Sequence, residues 1–356
     1  MKDRYIRQTV LEGFGEAAQE KLREAKVLVV GAGGLGVPVL QYLNAMGIGT
    51  LGLVEHDQIS LSNLHRQVLY AENEVGRSKL EVALKKLRKQ NRETGLIAHK
   101  TFLSVDNALE IIQQYDVVID ASDNFPTRYL INDACVILKK PFVYGALHAF
   151  EGQVSVFNFE GGPTYRCLFP NMPNPDEVPN CNENGVLGVL PGIMGNFQAL
   201  ETIKLLTGLG NLLSGKLLLY NALDQSIQKI NLKLSAENLK ITRLQDSYEF
   251  DCEAPINSIS ASALEKLIKK SSVQIVDVRT PEEYQDFHLK NSKNIPLQNI
   301  EEELDKIDFT KPVYLLCQSG NRSLRAIQKI QNSHPRAKLI NVTKGIKSFR
   351  AHAASH

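Results

Sequence analysis

The sequence predicts an α/β protein in which a large, doubly wound domain with a mixed sheet precedes a small α/β domain. This prediction rests first on two regions, one early and one late in the chain. In each region, short apolar runs alternate with amphipathic helical segments. The third observation is a glycine-rich turn after the first apolar run, because such a turn joins the first strand of many doubly wound sheets to its helix. We place the large domain at residues 1–240, a polar linker at 241–257 and the small domain at 258–356.

The first strand is predicted over "KVLVV" (Lys26–Val30), since a short β-branched run that ends in glycines is typical of a buried parallel strand. The apolar spacing in "GVPVLQYLNAMG" predicts the helix that follows. Strands over Thr50–Glu55 and Asp116–Ser122, and a basic amphipathic helix over Gly76–Asn91, continue the alternation. A helix over "NFPTRYLINDACVILKK" completes this part of the domain.

The strands then change direction. "PFVYGAL" and "GQVSVFNF" lie too close in sequence for a parallel crossover, which predicts an antiparallel pair and therefore a mixed sheet. The segment Gly161–Asn184 is rich in Pro, Asn and Gly, so we expect a long irregular segment of the kind that often carries function. A long helix over Val189–Thr207 and strands over "KLLLYNAL" and "QKINLKL" end the domain.

The small domain repeats the alternation of helices and strands. Its helices are predicted over "SASALEKLIKK", "PEEYQDF" and "RSLRAIQKIQN", and its strands over "VQIVDVR", "PVYLLC" and "KLINV". Cys317 ends the strand "PVYLLC" and opens a short polar loop, "CQSGNRS", before the next helix.

Composition excludes several classes of protein. The net charge of +2 gives no sign of a nucleic-acid surface, and no apolar run reaches the roughly 20 residues that a membrane helix needs. Five cysteines are too few for a disulfide framework, and the charged start "MKDRYIRQTVLEGFG" lacks the apolar core of a signal peptide. We therefore expect a cytoplasmic protein that binds neither nucleic acid nor membrane.

The turn "VVGAGGLG" places Gly31, Gly33 and Gly36 in the G-x-G-x-x-G spacing between a strand and a helix. Such a loop lets backbone N–H groups approach phosphates at a helix N-terminus. Glu55 ends the next strand, where a carboxylate can hold ribose hydroxyls. Taken alone, this pattern favours an NAD-dependent oxidoreductase.

Four polar residues favour nucleotidyl transfer over hydride transfer. Asn63 and Arg66 follow the ribose carboxylate, Lys79 starts a helix, and Asp123 follows the strand Asp116–Ser122. Cations stabilise the charge that develops on phosphorus, and a carboxylate can hold Mg²⁺. Each of these residues could singly be a surface charge.

The motifs "YIRQ", "GAGGLG", "LSNLHRQ", "VGRSK" and "DASDN" resemble, in order and spacing, those of the MoeB/ThiF family of ubiquitin-activating-like adenylyltransferases. The resemblance covers about residues 4–234. It implies a Rossmann-like ATP-binding domain in which the C-terminal Gly-Gly carboxylate of a ubiquitin-like sulfur carrier attacks the α-phosphate of ATP. The products would be an acyl-adenylate and pyrophosphate.

The same resemblance implies roles for individual residues. Arg7 would reach across a homodimer interface to the ATP of the other subunit. Asp123 would hold Mg²⁺ and support the transition state, and with Arg66 and Lys79 it would form the catalytic set. The implied ATP-binding residues are Arg7, Gly31, Gly33, Gly34, Gly36, Glu55, Asp57, Asn63, Arg66, Lys79 and Asp123.

Three cysteines of the large domain have different predicted roles. Cys181 lies in the irregular segment, where the family places a cysteine that bonds covalently to the carrier in some members, so we expect a functional thiol rather than a spare one. Cys135 lies in a predicted helix and is expected to be a buried, small apolar residue. Cys167 belongs to "TYRC", a departure from the family pattern.

Many family members hold a structural zinc with two C-x-x-C pairs, but this chain retains half of that set. Thr164 replaces the first thiol of the pair with Cys167, and neither Glu249 nor Pro255, each three residues from Cys252, is a cysteine. Because a closed zinc site needs four ligands, we predict that no structural zinc is bound.

The Cys317 loop could serve a phosphate, a sulfur atom or neither. Loop N–H groups and a helix N-terminus stabilise a thiolate at such a position. Four residues separate Cys317 from Arg322, one fewer than in tyrosine phosphatases, so the loop predicts a cradle for a single sulfur atom. An inactive docking module is the alternative.

"IVDVRTPEEY", "NIP" and "CQSGNRS" resemble the single-domain rhodanese fold over about residues 256–349. The resemblance implies that Cys317 carries a persulfide, with Asp277 and Arg279 in supporting positions. The segment before "NIP" lacks the "GHIPGA" run usual in the family. The implied persulfide loop consists of Gln318, Ser319, Gly320, Asn321 and Arg322.

Together the two domains predict an enzyme that adenylylates a sulfur carrier and then thiocarboxylates it. The Cys317 persulfide would attack the acyl-adenylate, with Cys181 as the thiol that releases the product. The resemblance further implies a cysteine desulfurase as sulfur donor, and molybdopterin synthesis, thiamine synthesis or tRNA thiolation as the pathway. An NAD-dependent oxidoreductase with a regulatory domain and a non-catalytic carrier-docking scaffold are the alternatives.

Overall fold

The computed structural model divides the chain into two compact units, residues 1–250 and residues 251–356. It describes residues 2–173, 185–248, 257–271, 273–318, 320–334, 337–343 and 345–353. The predicted positions Cys181, Cys252, Glu249, Pro255 and Ser319 lie outside the described residues. Both units are α/β, as the sequence predicts.

The first unit is built on an eight-stranded sheet with the order β3-β2-β1-β4-β5-β6-β7-β8. The first five strands in this order are parallel, whereas β5 to β8 pair antiparallel. The mixed sheet is therefore confirmed. Its strands are β1 Lys26–Val30, β2 Thr50–Val54, β3 Gly95–His99, β4 Val117–Asp120, β5 Phe142–His148, β6 Glu151–Phe157, β7 Lys216–Asn221 and β8 Ser226–Asn231.

Helices cover both faces of this sheet. Helix α8 begins at Leu190, one residue after the predicted start, and ends at Thr207, where Gly208 takes a left-handed conformation (φ +81°). The helices are α1 Lys2–Thr9, α2 Gly15–Glu24, α3 Gly36–Ala45, α4 Lys79–Gln90, α5 Ala108–Ile112, α6 Phe125–Leu138, α7 Tyr165–Leu168 and α8 Leu190–Thr207.

Alternation along the buried strands divides the core into two layers. Val27 and Val29 of β1 pack in the cluster that contains α3, α4 and α8, whereas Leu28 and Val30 pack in the cluster of α5 and α6. This follows from the two-residue period of a strand, which sends successive side chains to opposite faces. The continuous apolar run in "KVLVV" is therefore the mark of a strand that is covered on both sides.

The strand order reverses between β1 and β4, since the chain moves to β2 and β3 on one side and to β4 and β5 on the other. In a doubly wound sheet, the carboxyl ends of the strands at such a reversal open a crevice that binds ligands. The glycine loop after β1 and the segment after β4 lie at this crevice.

The second unit has a five-stranded parallel sheet with the order β11-β10-β12-β13-β9. Two apolar clusters, one on each face, enclose it. Its strands are β9 Asn257–Ser260, β10 Gln274–Asp277, β11 Ser292–Asn294, β12 Val313–Leu316 and β13 Leu339–Thr343. Its helices are α9 Ala261–Lys270, α10 Pro281–Asp286, α11 Asn321–Ser333 and α12 Gly345–Ala353. In the described parts of the chain, no helix is long and apolar enough to cross a membrane.

Candidate functional sites

The glycine loop brings backbone close to backbone at the end of β1. Gly31 has φ +101°, and a Cβ there would lie 2.9 Å from the carbonyl oxygen of Ala121, at the end of β4. A Cβ on Gly36 would lie 2.0 Å from the carbonyl oxygen of Gly31, and one on Gly34 would lie 2.9 Å from Cβ of Pro191. The glycines therefore leave a tight turn whose N–H groups can face a ligand.

This loop forms one wall of a cavity of about 650 Å³ at the crevice. The ends of β1, β2, β4 and β5 all contribute to the cavity, because the carboxyl ends of parallel strands share one edge of the sheet. Of the predicted site residues, the cavity is lined by Gly31, Gly33, Gly34, Glu55, Asp57, Arg66, Lys79 and Asp123.

Glu55 is 7% exposed and holds the glycine loop against the end of β2. Its Oε2 accepts a hydrogen bond from the backbone N–H of Ala32 at 2.9 Å. Its Oε1 accepts hydrogen bonds from the N–H groups of His56 and Asp57, both at 2.8 Å. A carboxylate oxygen accepts two hydrogen bonds, so Oε2 retains a free position for a ribose hydroxyl.

Lys79 begins α4, and its side chain is 7% exposed. Its Nζ donates to Oδ2 of Asp57 at 3.0 Å, and its N–H donates to the Asp57 carbonyl at 2.9 Å. Burial of an ammonium without a partner is costly, so this ion pair fixes the cation in the cavity wall. Arg66 lines the same cavity, held by a 3.1 Å bond from Nη1 to the Ser62 carbonyl.

Asp123 is an exposed carboxylate at the cavity, on the short segment between β4 and α6. The preceding residue, Ser122, is held by two buried side chains. Oδ1 of Asp120 accepts from the Ser122 N–H at 3.1 Å and from its hydroxyl at 2.6 Å, while Nη2 of Arg128 donates to the Ser122 carbonyl at 3.3 Å. Burial raises the pKa of Asp120, although the Arg128 charge and these hydrogen bonds oppose the rise.

Three predicted ATP-binding residues do not line the cavity. Asn63 lies in the 3₁₀ turn Leu61–Asn63 and accepts backbone bonds from Arg66 and Gln67 on its carbonyl. Gly36 is buried beneath the loop. Arg7 is exposed on α1.

The donors in the cavity fit a nucleotide with a divalent cation. Glu55, His56 and Asp57 place three possible ligand atoms within 4.8 Å of one another. The Glu55 carboxylate is engaged by backbone N–H groups and Asp57 by Lys79, whereas Asp123 remains exposed at the cavity. Asp123 is therefore the better-placed carboxylate for Mg²⁺ among these residues.

Cys167 lies in a polar environment. The hydroxyl of Thr164 lies 3.5 Å from its Sγ, and Asn238 Nδ2 and the Ser235 N–H each donate to that sulfur at 3.4 Å. Burial opposes ionisation, but these hydrogen bonds outweigh it and lower the pKa of Cys167. Cys135, by contrast, is fully buried in α6, as predicted.

The Cys317 thiol lies at the carboxyl end of β12 and is fully buried. The N–H of Gly320 donates to its Sγ at 3.1 Å, and Oγ of Ser323 lies 3.4 Å from it. Gly320 has φ +103° and precedes α11, so the loop turns sharply into the helix N-terminus. The Gly320 N–H and the N-terminus of α11 are suited to holding a sulfur anion, whereas the Ser323 hydroxyl donates to Oδ1 of Asn341 at 2.6 Å.

Asp277 and Arg279 form a buried ion pair beneath the loop, with side chains 0% and 1% exposed. Nη2 of Arg279 donates to Oδ2 of Asp277 at 2.7 Å, and further bonds reach the carbonyls of Glu283 and Phe287. The pair thereby ties the end of β10 to α10.

Arg322, in the first turn of α11, forms a two-contact ion pair with Glu283 of α10. Nη1 lies 2.6 Å from Oε2, and Nη2 lies 2.7 Å from Oε1.

The sequence analysis did not predict four residues of the two sites, namely Glu283, Ser323, Arg128 and Phe102. Arg128 and Phe102 line the cavity of the first unit. Of these four, only Glu283 belonged to a recognisable sequence pattern. In "TPEE", a Thr is followed three residues later by a Glu, which is typical of a capping box at the start of a helix.

Comparison with known proteins assigns each unit to a family. The ThiF family is matched over residues 5–241, and the rhodanese-like domain over residues 260–352. The chain is 39% identical to the adenylyltransferase and sulfurtransferase MOCS3 of Aedes aegypti, over 92% of this chain and 81% of that protein. It is 53% identical to the sulfur carrier protein adenylyltransferase of Thermus thermophilus, over 65% of this chain and 87% of that protein.

Solved structures agree on the fold. The structure of MccB from E. coli with MccA-N7isoASN superposes with a TM-score of 0.60 at 23% identity, over 68% of this chain and 74% of that one. None of these relatives supports the two alternatives, an NAD-dependent oxidoreductase or a non-catalytic scaffold.

Proposed function

This chain belongs to the ThiF family and continues into a rhodanese-like domain, and on that premise we propose that it activates a ubiquitin-like sulfur carrier with ATP and then transfers sulfur to it. The observation that supports the first step is the convergence of Arg66, Lys79 and Asp123 on one cavity with the glycine loop. The name of the MOCS3 relative supports both steps, and that of the Thermus relative supports the first.

In the first step, the carrier's C-terminal Gly-Gly carboxylate attacks the α-phosphorus of ATP, and the bond to pyrophosphate breaks. The glycine loop and Glu55 bind the nucleotide. Asn63 was predicted as a triphosphate contact, but it does not line the cavity. Arg66 and Lys79 offset the charge that develops on phosphorus. Asp123 would hold Mg²⁺, which would supply positive charge against that of the pyrophosphate leaving group.

In the second step, the outer sulfur of a Cys317 persulfide attacks the acyl carbon, and AMP leaves with the electron pair. The resulting acyl disulfide is opened by a second thiol, for which Cys181 is our proposal. The carrier departs as a thiocarboxylate, and a disulfide remains that an external thiol must reduce. A cysteine desulfurase is the proposed source of the persulfide sulfur, and Gln318 to Arg322 are its proposed cradle.

Two substitutions separate the two steps. Cys317→Ala should retain carrier-dependent ATP–pyrophosphate exchange but lose thiosulfate-driven thiocarboxylation, measured as the mass shift of a purified Gly-Gly-ending ubiquitin-fold protein. Asp123→Ala should abolish the exchange while thiosulfate sulfurtransferase activity persists. Equal sulfur transfer by Cys317→Ala would contradict the coupled scheme, and normal exchange by Asp123→Ala would contradict the assigned ATP site.

A further inference from the structure

Arg322 is the last residue of the Cys317 loop, where its positive charge could bind an anion held by the loop. Its guanidinium instead meets the Glu283 carboxylate in a two-contact ion pair, with distances of 2.6 and 2.7 Å. Both side chains are 33% exposed, so the pair lies at the surface of the second unit, within reach of solvent. The positive charge of Arg322 is therefore offset by Glu283 at the end of the Cys317 loop.

Glu283 is itself firmly held. Its Oε2 accepts from the Thr280 N–H at 3.1 Å, and its own N–H donates to the Thr280 hydroxyl at 3.3 Å, which is a complete capping box at the start of α10. Its carbonyl accepts from Nη1 of the buried Arg279 at 3.0 Å. Because the acid cannot easily move away, Arg322 is fixed with it.

The pair is ionised over the whole physiological range. Hydrogen bonds from Arg322 outweigh the effect of partial burial and lower the pKa of Glu283 to about 2. The Glu283 carboxylate therefore neutralises Arg322 at any pH at which the enzyme would work.

We propose that Glu283 is a specificity-determining residue, which withholds the charge of Arg322 from the Cys317 loop and so disfavours dianionic sulfur donors. This rests on the proposed sulfur transfer at Cys317. The favoured donor class carries its sulfane sulfur on a thiol. The Cys317 thiolate attacks the outer sulfur of such a persulfide, the S–S bond breaks, and the donor leaves as a thiolate.

Thiosulfate undergoes the same substitution but differs in charge. Its outer sulfur transfers to Cys317 and sulfite leaves with the electron pair, so two negative charges approach the loop and two depart. A free arginine beside the loop would attract this donor, whereas a neutralised one gives it little advantage.

The test compares two donors in the full-length protein. Glu283→Gln keeps the size of the side chain but frees the Arg322 charge, so KM for thiosulfate should fall roughly fivefold, as expected for a partly exposed charge. KM for cysteine persulfide, whose net charge lies between zero and −1, should change less than twofold. The gain with thiosulfate should shrink as the salt concentration rises, since exposed charges are screened.

Two further variants serve as controls. Glu283→Asp keeps the negative charge and should retain the wild-type preference between the donors. Adding Arg322→Gln to Glu283→Gln should remove the gain with thiosulfate. Parallel losses with both donors in Glu283→Gln would show that the pair only supports the loop, and an unchanged KM for thiosulfate would equally overturn the proposal.

These outcomes are distinct from a failure of the proposed function. Sulfur transfer that persists in Cys317→Ala would refute the persulfide on Cys317 itself. A wild-type enzyme that becomes persulfidated on Cys317 but shows the same donor preference as Glu283→Gln would refute the role of Glu283 alone.

Discussion

The glycines of the phosphate-loop motif differ in how much space the structure leaves for a side chain, although the sequence motif does not distinguish them. A methyl group on Gly36 would meet the Gly31 carbonyl at 2.0 Å, whereas one on Gly33 would find its nearest neighbour, Nε2 of Gln67, at 3.6 Å. The spacing of the motif is visible in the sequence. Which glycine is required for packing and which for ligand approach depends on the path of the folded loop.

This difference gives a matched pair of variants. Gly36→Ala should lower the free energy of unfolding of the first unit by roughly 1–3 kcal/mol, because backbone must move to admit the methyl group. Gly33→Ala should change it by less than about 1 kcal/mol. Hydrogen exchange of the β1 and β4 amides would measure both, and equal losses in the two variants would contradict the geometry.

The roles of several other residues were only partly visible in the sequence. Glu55 was predicted as a ribose ligand from its distance to the glycines, but its three bonds to backbone N–H groups depend on the loop conformation. Arg322 was predicted to line the persulfide cradle, whereas its partner, Glu283, is 39 residues away in sequence. No local spacing rule relates residues so far apart.

At the scale of elements, the buried parallel strands were predictable because they are continuous apolar runs, covered on both faces. The strands that the sequence analysis did not predict have no such continuous apolar run. Strands β3 and β9 are mostly exposed and lie at sheet edges, and β11 is three residues long. Pairing with a neighbour, rather than an apolar pattern, makes each of them a strand.

Ion pairs join elements of the second unit, and their burial sets their effect on stability. Arg279→Met leaves the Asp277 carboxylate buried without its partner, so it should cost roughly 3–5 kcal/mol. Arg322→Met breaks a pair that is one-third exposed and should cost no more than about 1 kcal/mol. Hydrogen exchange of the β10 and β12 amides would report both losses.

A control lies within the same chain. Because Asp277 and Arg279 belong to the second unit, ATP–pyrophosphate exchange by Arg279→Met should match that of the unmodified protein. Equal destabilisation by Arg279→Met and Arg322→Met would contradict the assignment of the buried pair as the stronger connection.

At the scale of the whole molecule, eight of the eleven predicted ATP-binding residues line one cavity of the first unit, and Arg7 is one of the three that do not. Arg7 is exposed on α1 and does not line the cavity that contains Arg66, Lys79 and Asp123. Among the described residues, Arg7 is therefore not part of the wall of this ATP cavity. That Arg7 acts in trans within a homodimer stays a prediction.

Mixing two inactive variants would test that prediction. In a heterodimer of Arg7→Ala with Asp123→Ala, the subunit that keeps Asp123 receives Arg7 from its partner, so one of the two sites is complete. Carrier-dependent ATP–pyrophosphate exchange should therefore reappear after the two variants are unfolded together and refolded, although each alone is inactive. If Arg7 acted within its own subunit, neither site of the heterodimer would hold both residues, and the mixture would remain as inactive as its components.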